Sequence, residues 1–197
     1  FKYYEPGITC IFEDLQGNVW AGTNGYGLFV ISPFLKPFHN FSQSNQPVYK
    51  SYMYDSIHID VISAKKDNYP NTLQFQSVRT VFADEQSLYV GGYIGLDRID
   101  IDEGIIENLN DYYIPYYITE DAMDPDKYLW ISVETNPLNL MHLEKSTMKM
   151  ELYNLGVYMI YSLLSEENGN LWACTNEGLV LFNGLTKEYV NFSQEPE

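Results

Sequence analysis

Short runs of apolar and aromatic residues alternate along this chain with turns rich in Gly, Asn, Asp and Pro. The first stretch, residues 8–41, contains four such runs, at 8–12, 19–23, 28–31 and 38–41. Runs of this length between turn-forming residues are typical of antiparallel strands joined by hairpins. Sustained apolar residues at the i, i+3, i+4, i+7 spacing of an amphipathic helix do not occur in the sequence. The pattern therefore predicts an all-β fold.

The same pattern returns three times. The clearest copy spans residues 157–192, and weaker copies span 78–109 and 117–153. Each copy places a large aromatic residue in its second run: Trp20, Tyr89, Trp130 and Trp172. These residues lie 69, 41 and 42 positions apart. A period near 42 with four short strands per copy is typical of a β-propeller blade, and the longer first gap indicates an insertion.

The first copy carries a specific string of residues around its first turn and second strand: Glu13-Asp14, Gly17-Asn18, Trp20, Gly22-Thr23 and Gly27-Leu28. This string resembles the two-component regulator propeller repeat. The first and fourth copies match the repeat well and the second matches in part. The third matches poorly, because Ser132, Val133 and Pro137 stand at its Gly, Thr and Gly positions. The resemblance implies about four four-stranded antiparallel blades that form a fragment of a larger propeller.

The repeat sets the expected boundaries along the chain. They are residues 1–7 for the end of a preceding blade, 8–41 for blade 1, 42–77 for an inter-blade insertion, 78–112 for blade 2, 113–154 for blade 3 and 155–197 for blade 4. An open arc of blades leaves strand edges and blade faces uncovered, which natural chains avoid by closure or capping. We therefore expect the remaining blades of a longer chain to complete the ring, or two copies to associate, with a homodimer in the full receptor.

Most of the repeated residues have an expected structural role. The four aromatic residues are expected between neighbouring blades, where a large ring buries much area, and Gly22 is expected to leave room for a ring of the next blade. The turn at 14–18 has the oxygen-rich look of a calcium loop, but it is short and carries few carboxylates. It is therefore expected to be a hairpin turn with Gly17 at positive φ.

Charge and motif content narrow the functional classes. Among 197 residues, 11 Lys and Arg oppose 27 Asp and Glu, which gives a net charge of −16. Such a charge repels nucleic acid and anionic membrane surfaces, and no apolar run is long enough for membrane insertion. Cys10 and Cys174 lie in distant copies, so a disulfide is not expected. The three histidines lack metal-ligand spacing, and no catalytic residue, metal site or cofactor is predicted.

The resemblance implies a function as well as a fold. Such repeats occur in the periplasmic sensor region of hybrid two-component histidine kinases, which are anchored in the inner membrane. The chain is therefore expected to be a non-catalytic region that recognises oligosaccharides and controls polysaccharide-utilisation genes. Two alternatives stay open: a propeller enzyme acting on polysaccharide, either a lyase or a hydrolase, and a non-catalytic protein-interaction scaffold.

The predicted binding face follows from blade topology. The turns between second and third strands and the connections between blades lie on one face of a propeller, and loops on a rigid scaffold often bind ligands. Tyrosine rings with amide and carboxylate groups suit a sugar. The predicted ligand-binding residues on this face are Asn24, Tyr26, Tyr49, Tyr52, Tyr93, Asn136, Asn176 and Glu177. Two interpretations of the insertion stay open: a rim of the ligand site, or an extra hairpin that only packs on its blade.

Overall fold

A computed structural model describes residues 7–32, 49–54, 57–62, 73–75, 77–101 and 105–192. At residues 32, 49–54 and 57–62 it describes the backbone but not the side chains. All strands and turns in these ranges belong to an all-β fold, with four antiparallel sheets, which confirms the predicted fold class. No helix in the described ranges has the length and apolar character needed to cross a membrane. The chain forms two compact units, Phe1–Tyr112 and Tyr113–Glu197.

The first sheet has five strands where four were expected. They are β1 (Ile8–Glu13), β2 (Val19–Thr23), β3 (Leu28–Ser32), β4 (Tyr49–Tyr54) and β5 (Ile57–Ile62), in the order β1-β2-β3-β5-β4. The strand beside β3 is thus β5, which comes from the segment predicted as an inter-blade insertion. The fourth strand predicted at residues 38–41 lies outside the described residues, as does most of the stretch 1–7 predicted as the end of a preceding blade. The insertion therefore contributes a hairpin, β4–β5, that widens the first sheet.

The other three sheets have four strands each, paired in chain order. The second sheet contains β6 (Val78–Ala83), β7 (Ser87–Gly92), β8 (Leu96–Asp100) and β9 (Ile106–Asn110). The third contains β10 (Pro115–Glu120), β11 (Tyr128–Val133), β12 (Leu140–Glu144) and β13 (Met150–Tyr153). The fourth contains β14 (Ile160–Ser165), β15 (Asn170–Thr175), β16 (Gly178–Asn183) and β17 (Tyr189–Phe192). This antiparallel meander is the expected architecture of propeller blades, and the residue limits of the blades stay predictions.

The turn between β1 and β2 is organised by the buried carboxylate of Asp14. Its Oδ1 accepts hydrogen bonds from the backbone N–H groups of Gln16 (3.0 Å) and Asn18 (2.8 Å). Its Oδ2 accepts bonds from the Asn18 side-chain amide (2.9 Å) and from the indole Nε1–H of Trp20 (2.8 Å). Gly17 has φ 81°, which confirms the predicted hairpin turn. The repeat's Asp therefore joins its turn to its aromatic residue.

In the first unit, the core lies between the first two sheets. The Trp20 ring is fully buried and packs in one cluster with Val78 and Val81 of β6. A Cβ on Gly22 would lie 2.6 Å from Val78 Cγ1 and 2.5 Å from Cys10 Sγ. Gly22 thus permits a close approach of the next sheet, as expected, although the neighbour is a valine and not an aromatic ring.

In the second unit, the core lies between the third and fourth sheets. The Trp130 ring is buried, belongs to one cluster with Leu163 of β14, and meets the Phe182 ring edge-on at 5.7 Å. Trp172 occupies the equivalent position of the fourth sheet but is only half-buried, with its ring 6.0 Å from that of Phe192. Trp130 therefore lies between sheets, as predicted for the repeat's aromatic residue.

Candidate functional site

Each four-stranded sheet has two chemically different ends. The connection end carries the turn between the second and third strands and the link to the neighbouring sheet. The turn end carries the turns between the first and second and between the third and fourth strands. These positions follow from the antiparallel order of the strands, so the predicted ligand residues are sought at the connection end.

A cleft of about 310 Å³ lies at the connection end of the second unit, and we name it the connection cleft. Its lining consists of Thr135, Asn136, Pro137, Asn154, Gly156, Val157, Tyr158 and Glu177. The fold thus brings Asn136 of the β11–β12 turn and Glu177 of the β15–β16 turn to one cleft, with the link between the two sheets as its third wall. The volume is at the lower end of the usual range for small-molecule pockets, about 300–1,000 Å³.

A fully buried amide fixes the wall of the connection cleft. Asn139 Oδ1 accepts a hydrogen bond from the backbone N–H of Leu155 (3.0 Å), and Asn139 Nδ2 donates to the carbonyl of Val157. Gly156 lies between them at φ 68°. Because both bonds are buried, the link between the sheets is held firmly against the start of β12.

The two predicted residues of the β15–β16 turn have different environments. Asn176 exchanges two hydrogen bonds with Met159: its N–H donates to the Met159 carbonyl (3.1 Å), and its Oδ1 accepts from the Met159 N–H (2.8 Å). Asn176 therefore ties the turn to the link between the sheets and does not line the cleft. Glu177 is exposed at the cleft, and Tyr158 beside it is 60% exposed.

In the first unit, two of the predicted residues, Asn24 and Tyr93, each contact a nearby polar side chain. Asn24 Oδ1 accepts a hydrogen bond from Ser77 Oγ (3.0 Å). The Arg79 guanidinium lies 3.8 Å from the centre of the Tyr93 ring, which is 48% exposed. Tyr26 is 46% exposed in the β2–β3 turn. These residues occupy the connection end of their own unit, and their role in binding stays a prediction.

Two of the predicted residues belong to the hairpin β4–β5. The register pairs Tyr49 with Ile62, which in turn pairs with Leu28 at the connection end of β3. Tyr52 lies three positions further along β4, towards the turn end. The side chains of both tyrosines lie outside the described part of the structure.

A larger cleft, of about 450 Å³, lies at the turn end of the second unit and was not predicted from the sequence; we name it the turn cleft. Its lining consists of Asp121, Met123, Asp124, Tyr128, His142, Glu144, Lys149, Glu151, Gly184, Leu185 and Lys187. His142 contributes to its floor, where Nε2 lies 2.9 Å from Asp121 Oδ2. The imidazole is stacked on the rings of Trp130 (3.9 Å) and Tyr128 (4.5 Å).

The Asp121 carboxyl is stabilised in its charged form by the groups around it. Burial acts to raise its pKa, but hydrogen bonds from His142, the Met123 amide and Trp130, together with the charge of His142, outweigh burial and lower the pKa. The register pairs His142 with Trp130, whereas the first and fourth copies place Val30 and Leu181 opposite their tryptophans. The second copy places Arg98 opposite Tyr89, so a polar residue at this position is only a weak sequence signal for the cleft.

Within the described ranges, no group of three or more His, Cys, Asp or Glu side chains is placed to hold a metal ion. Cys10 and Cys174 are both free thiols. The linings of the two clefts present hydrogen-bonding groups, ring faces and single charges.

Comparison with known proteins places the fold among β-propellers. No protein-family model matches the chain, and no curated protein matches it significantly. The extracellular domain of the putative hybrid two component system BT3049 from B. thetaiotaomicron is 20% identical, with a TM-score of 0.59 over 94% of this chain and 30% of that one. The β-propeller domain of Myceliophteria thermophila Cps50 (Swd1) is 12% identical, with a TM-score of 0.56 over 90% and 54% of the two chains.

The fold is also shared with an enzyme, the dihydro-heme d1 dehydrogenase NirN. It is 11% identical, with a TM-score of 0.60 over 96% of this chain and 37% of that one. The chain spans about a third of the length of the extracellular domains that it matches. The chain therefore has a β-propeller-blade fold that it shares with the extracellular domains described as those of putative hybrid two component systems.

Proposed function

We propose that this chain is a ligand-recognition region of an extracytoplasmic receptor of the two-component type and that it binds an oligosaccharide at the connection cleft of its second unit. On this proposal the chain performs no chemistry. Binding shifts a conformational equilibrium of the receptor and so controls genes for polysaccharide use. The periplasmic location, the inner-membrane anchor, the remaining blades of a longer chain and the homodimer all belong to this proposal.

The connection cleft carries the proposal. Its walls combine side-chain amides of Asn136 and Asn154, which both donate and accept hydrogen bonds, with the Glu177 carboxylate, which accepts them. Tyr158 and Pro137 add ring faces for the C–H surface of a sugar. This mixture of amide, carboxylate and ring surface matches the hydroxyl-rich, partly apolar surface of a neutral sugar.

The fold comparison supports the receptor part of the proposal. Extracellular domains of putative hybrid two component systems share the fold of this chain, although only about a third of their length is covered. The net charge of −16 also favours a neutral ligand over a polyanionic one. Because the same fold serves an enzyme in NirN, the absence of turnover needs a test of its own.

The test is a titration of the 15N-labelled chain with a panel of neutral oligosaccharides, followed by amide chemical shifts. We expect the shifts to concentrate at residues 134–137 and 175–178, in the two turns that border the connection cleft. Replacing Glu177 by Gln keeps the size of the side chain but removes its charge. A hydrogen bond to a charged group contributes about 1.5–3 kcal/mol, so the affinity is expected to fall about tenfold.

The matched control is Glu188→Gln, which removes a carboxylate from the β16–β17 turn at the opposite end of the same sheet. It is expected to leave sugar binding unchanged. Mass spectrometry of the sugar after long incubation separates binding from turnover, and we expect it to be recovered intact. If Glu177→Gln leaves the affinity for the sugar unchanged, the sugar does not bind at the connection cleft. If the sugar is cleaved, the role of the chain is not purely sensory.

A further inference from the structure

The turn cleft contains two opposite charges that form no ion pair with another described side chain. Within the part of the chain that the structure describes, no hydrogen bond or ion pair engages the Asp124 carboxylate. Over the same residues, the Lys187 ammonium has no carboxylate within 4.0 Å. Both groups nevertheless line the same cleft. They therefore do not pair with each other, and both are presented to a ligand in the cleft.

The neighbouring charges of the turn cleft are already engaged. Lys149 Nζ lies 2.8 Å from Glu151 Oε1 and Lys127 Nζ lies 3.4 Å from Glu144 Oε1. Thr147 Oγ1 donates a further hydrogen bond to Glu144 Oε2. Among the charged residues of the lining, Asp124 and Lys187 form no ion pair within 4.0 Å in the described ranges, although the charge of Lys187 helps to lower the pKa of Glu151.

The lining of the turn cleft also includes an apolar surface. A Cβ on Gly169 would lie 2.7 Å from Met123 Sδ and 3.3 Å from Leu185 Cγ, so these two side chains meet above that glycine. Met123 is 45% exposed and Leu185 is 64% exposed. Asp124 follows Met123 in the chain, and Lys187 lies two residues after Leu185. The cleft therefore offers a carboxylate, an apolar surface and an ammonium side by side.

Aromatic rings hold the cationic side of the cleft in place. Lys187 Nζ lies 4.9 Å from the centre of the Tyr153 ring and 5.8 Å from that of Trp130. Tyr153 donates its hydroxyl proton to Glu151 Oε2 (2.9 Å). Cation–π contacts of this kind orient an ammonium without neutralising it. Lys187 therefore remains available to an anionic group.

We propose that the turn cleft binds a small zwitterion with an apolar side chain, of the free α-amino acid class. The ligand's ammonium binds the Asp124 carboxylate and its carboxylate binds Lys187. Its side chain packs on Met123 and Leu185. The site lies at the opposite end of the sheets from the connection cleft and is independent of the function proposed there.

The composition of the lining favours a zwitterion over other classes. A simple anion faces four carboxylates in the cleft: Asp121, Asp124, Glu144 and Glu151. A simple cation faces the ammonium groups of Lys149 and Lys187. A neutral sugar offers hydroxyls to both exposed charges but brings no counter-charge to either. A ligand with one charge of each sign meets both requirements, and 450 Å³ lies within the usual size range of small-molecule pockets.

To test this proposal, L-leucine or L-phenylalanine is added to the 15N-labelled chain. The amino acid is raised to about 10 mM, so that a weak affinity can still be measured. We expect amide shifts at residues 122–125 and 184–187. N-acetyl-L-phenylalanine lacks the ammonium and L-phenylalanine amide lacks the carboxylate. Each derivative is expected to bind at least tenfold more weakly than the free amino acid, because each loses one charge-assisted hydrogen bond.

Two variants and two controls locate the contacts. Lys187→Met and Asp124→Asn are each expected to weaken binding about tenfold. Lys145→Met in the β12–β13 turn and Asp126→Asn in the β10–β11 turn change the same residue types at positions outside the lining. Both are expected to leave binding unchanged. The proposal is overturned if neither amino acid binds, if the derivatives bind equally well, or if only a neutral oligosaccharide shifts the residues of this cleft.

Discussion

Replacing Asp14 by Asn tests the link between the repeat's turn and its buried aromatic ring. Asn has nearly the same shape and keeps Oδ1, which accepts the backbone N–H groups of Gln16 and Asn18. It replaces Oδ2 by an NH2 group, which then faces the indole N–H of Trp20 and the side-chain amide of Asn18. The substitution thus turns two acceptor contacts into donor–donor contacts.

The two lost contacts contribute unequally. Trp20 is fully buried, so its Nε1–H has no water to replace the carboxylate, and a hydrogen bond to a charged acceptor contributes about 1.5–3 kcal/mol. Asn18 lies in a half-buried surface turn, where its amide can turn to water at little cost. We therefore expect Asp14→Asn to lower the free energy of unfolding of this region by about 2 kcal/mol.

Urea titration combined with hydrogen exchange at the indole N–H groups measures this loss. The chain has three tryptophans, so each indole resonance can be assigned and the exchange of Trp20 followed locally. Asp84→Asn in the second sheet is the matched control. Asp84 Oδ1 accepts the N–H groups of Gln86 and Ser87, and Asn keeps that oxygen. The control is expected to lose less than about 1 kcal/mol.

A double-mutant cycle with Trp20→Phe isolates the hydrogen bond, because Phe keeps an aromatic ring but lacks the indole donor. The expected coupling energy is about 1.5 kcal/mol. This expectation would be refuted if the free energy of unfolding of Asp14→Asn lay within about 0.5 kcal/mol of that of the parent chain. It would also be refuted if Asp84→Asn lost as much stability as Asp14→Asn.

Three further predictions concern packing and pH. Gly22→Ala places a methyl group 2.5 Å from Cys10 Sγ and 2.6 Å from Val78 Cγ1. Thermal unfolding should show a loss of about 1–3 kcal/mol in the free energy of unfolding. The control Gly7→Ala, whose methyl group would have nothing within 4 Å, should lose little stability. Asn139→Ala removes two buried hydrogen bonds and should cost about 2 kcal/mol in urea titration, with faster amide exchange at Leu155. Burial raises the pKa of Asp97, and its hydrogen bonds offset this only in part; the protonated form is therefore favoured by folding. As the pH rises from about 4 through that raised pKa, the parent chain should lose stability relative to Asp97→Asn, and a gain would contradict this reasoning.

Periodicity predicted the strands well because the alternation of apolar runs and turns is a local property. Gly17 was expected at positive φ from its turn alone, and the structure agrees. The strand beside β3 was not predicted. Residues 38–41 carry the same aromatic-flanked pattern as the closing strand at 189–192, so local pattern favoured them, whereas β5 takes the position. The choice between two candidate strands depends on pairing across the sheet, which the local pattern does not encode.

The local sequence pattern also does not predict which side chains meet in the clefts. Asn136 and Glu177 were placed at the connection end by topology, and the structure brings both to one cleft. His142 was judged only by metal-ligand spacing, so its stack with Trp130 was missed. Asp124 and Lys187 lie in turns of different sheets, 63 positions apart, and only the packing of two sheets places them around one cleft.

Calorimetric titration of the chain with neutral oligosaccharides, with mass spectrometry of the sugar recovered afterwards, tests the proposed sensory role most directly. We expect at least one sugar to bind with heat that Glu177→Gln diminishes, and to be recovered unchanged. Failure of every neutral sugar to bind, or recovery of cleaved products, would contradict the account.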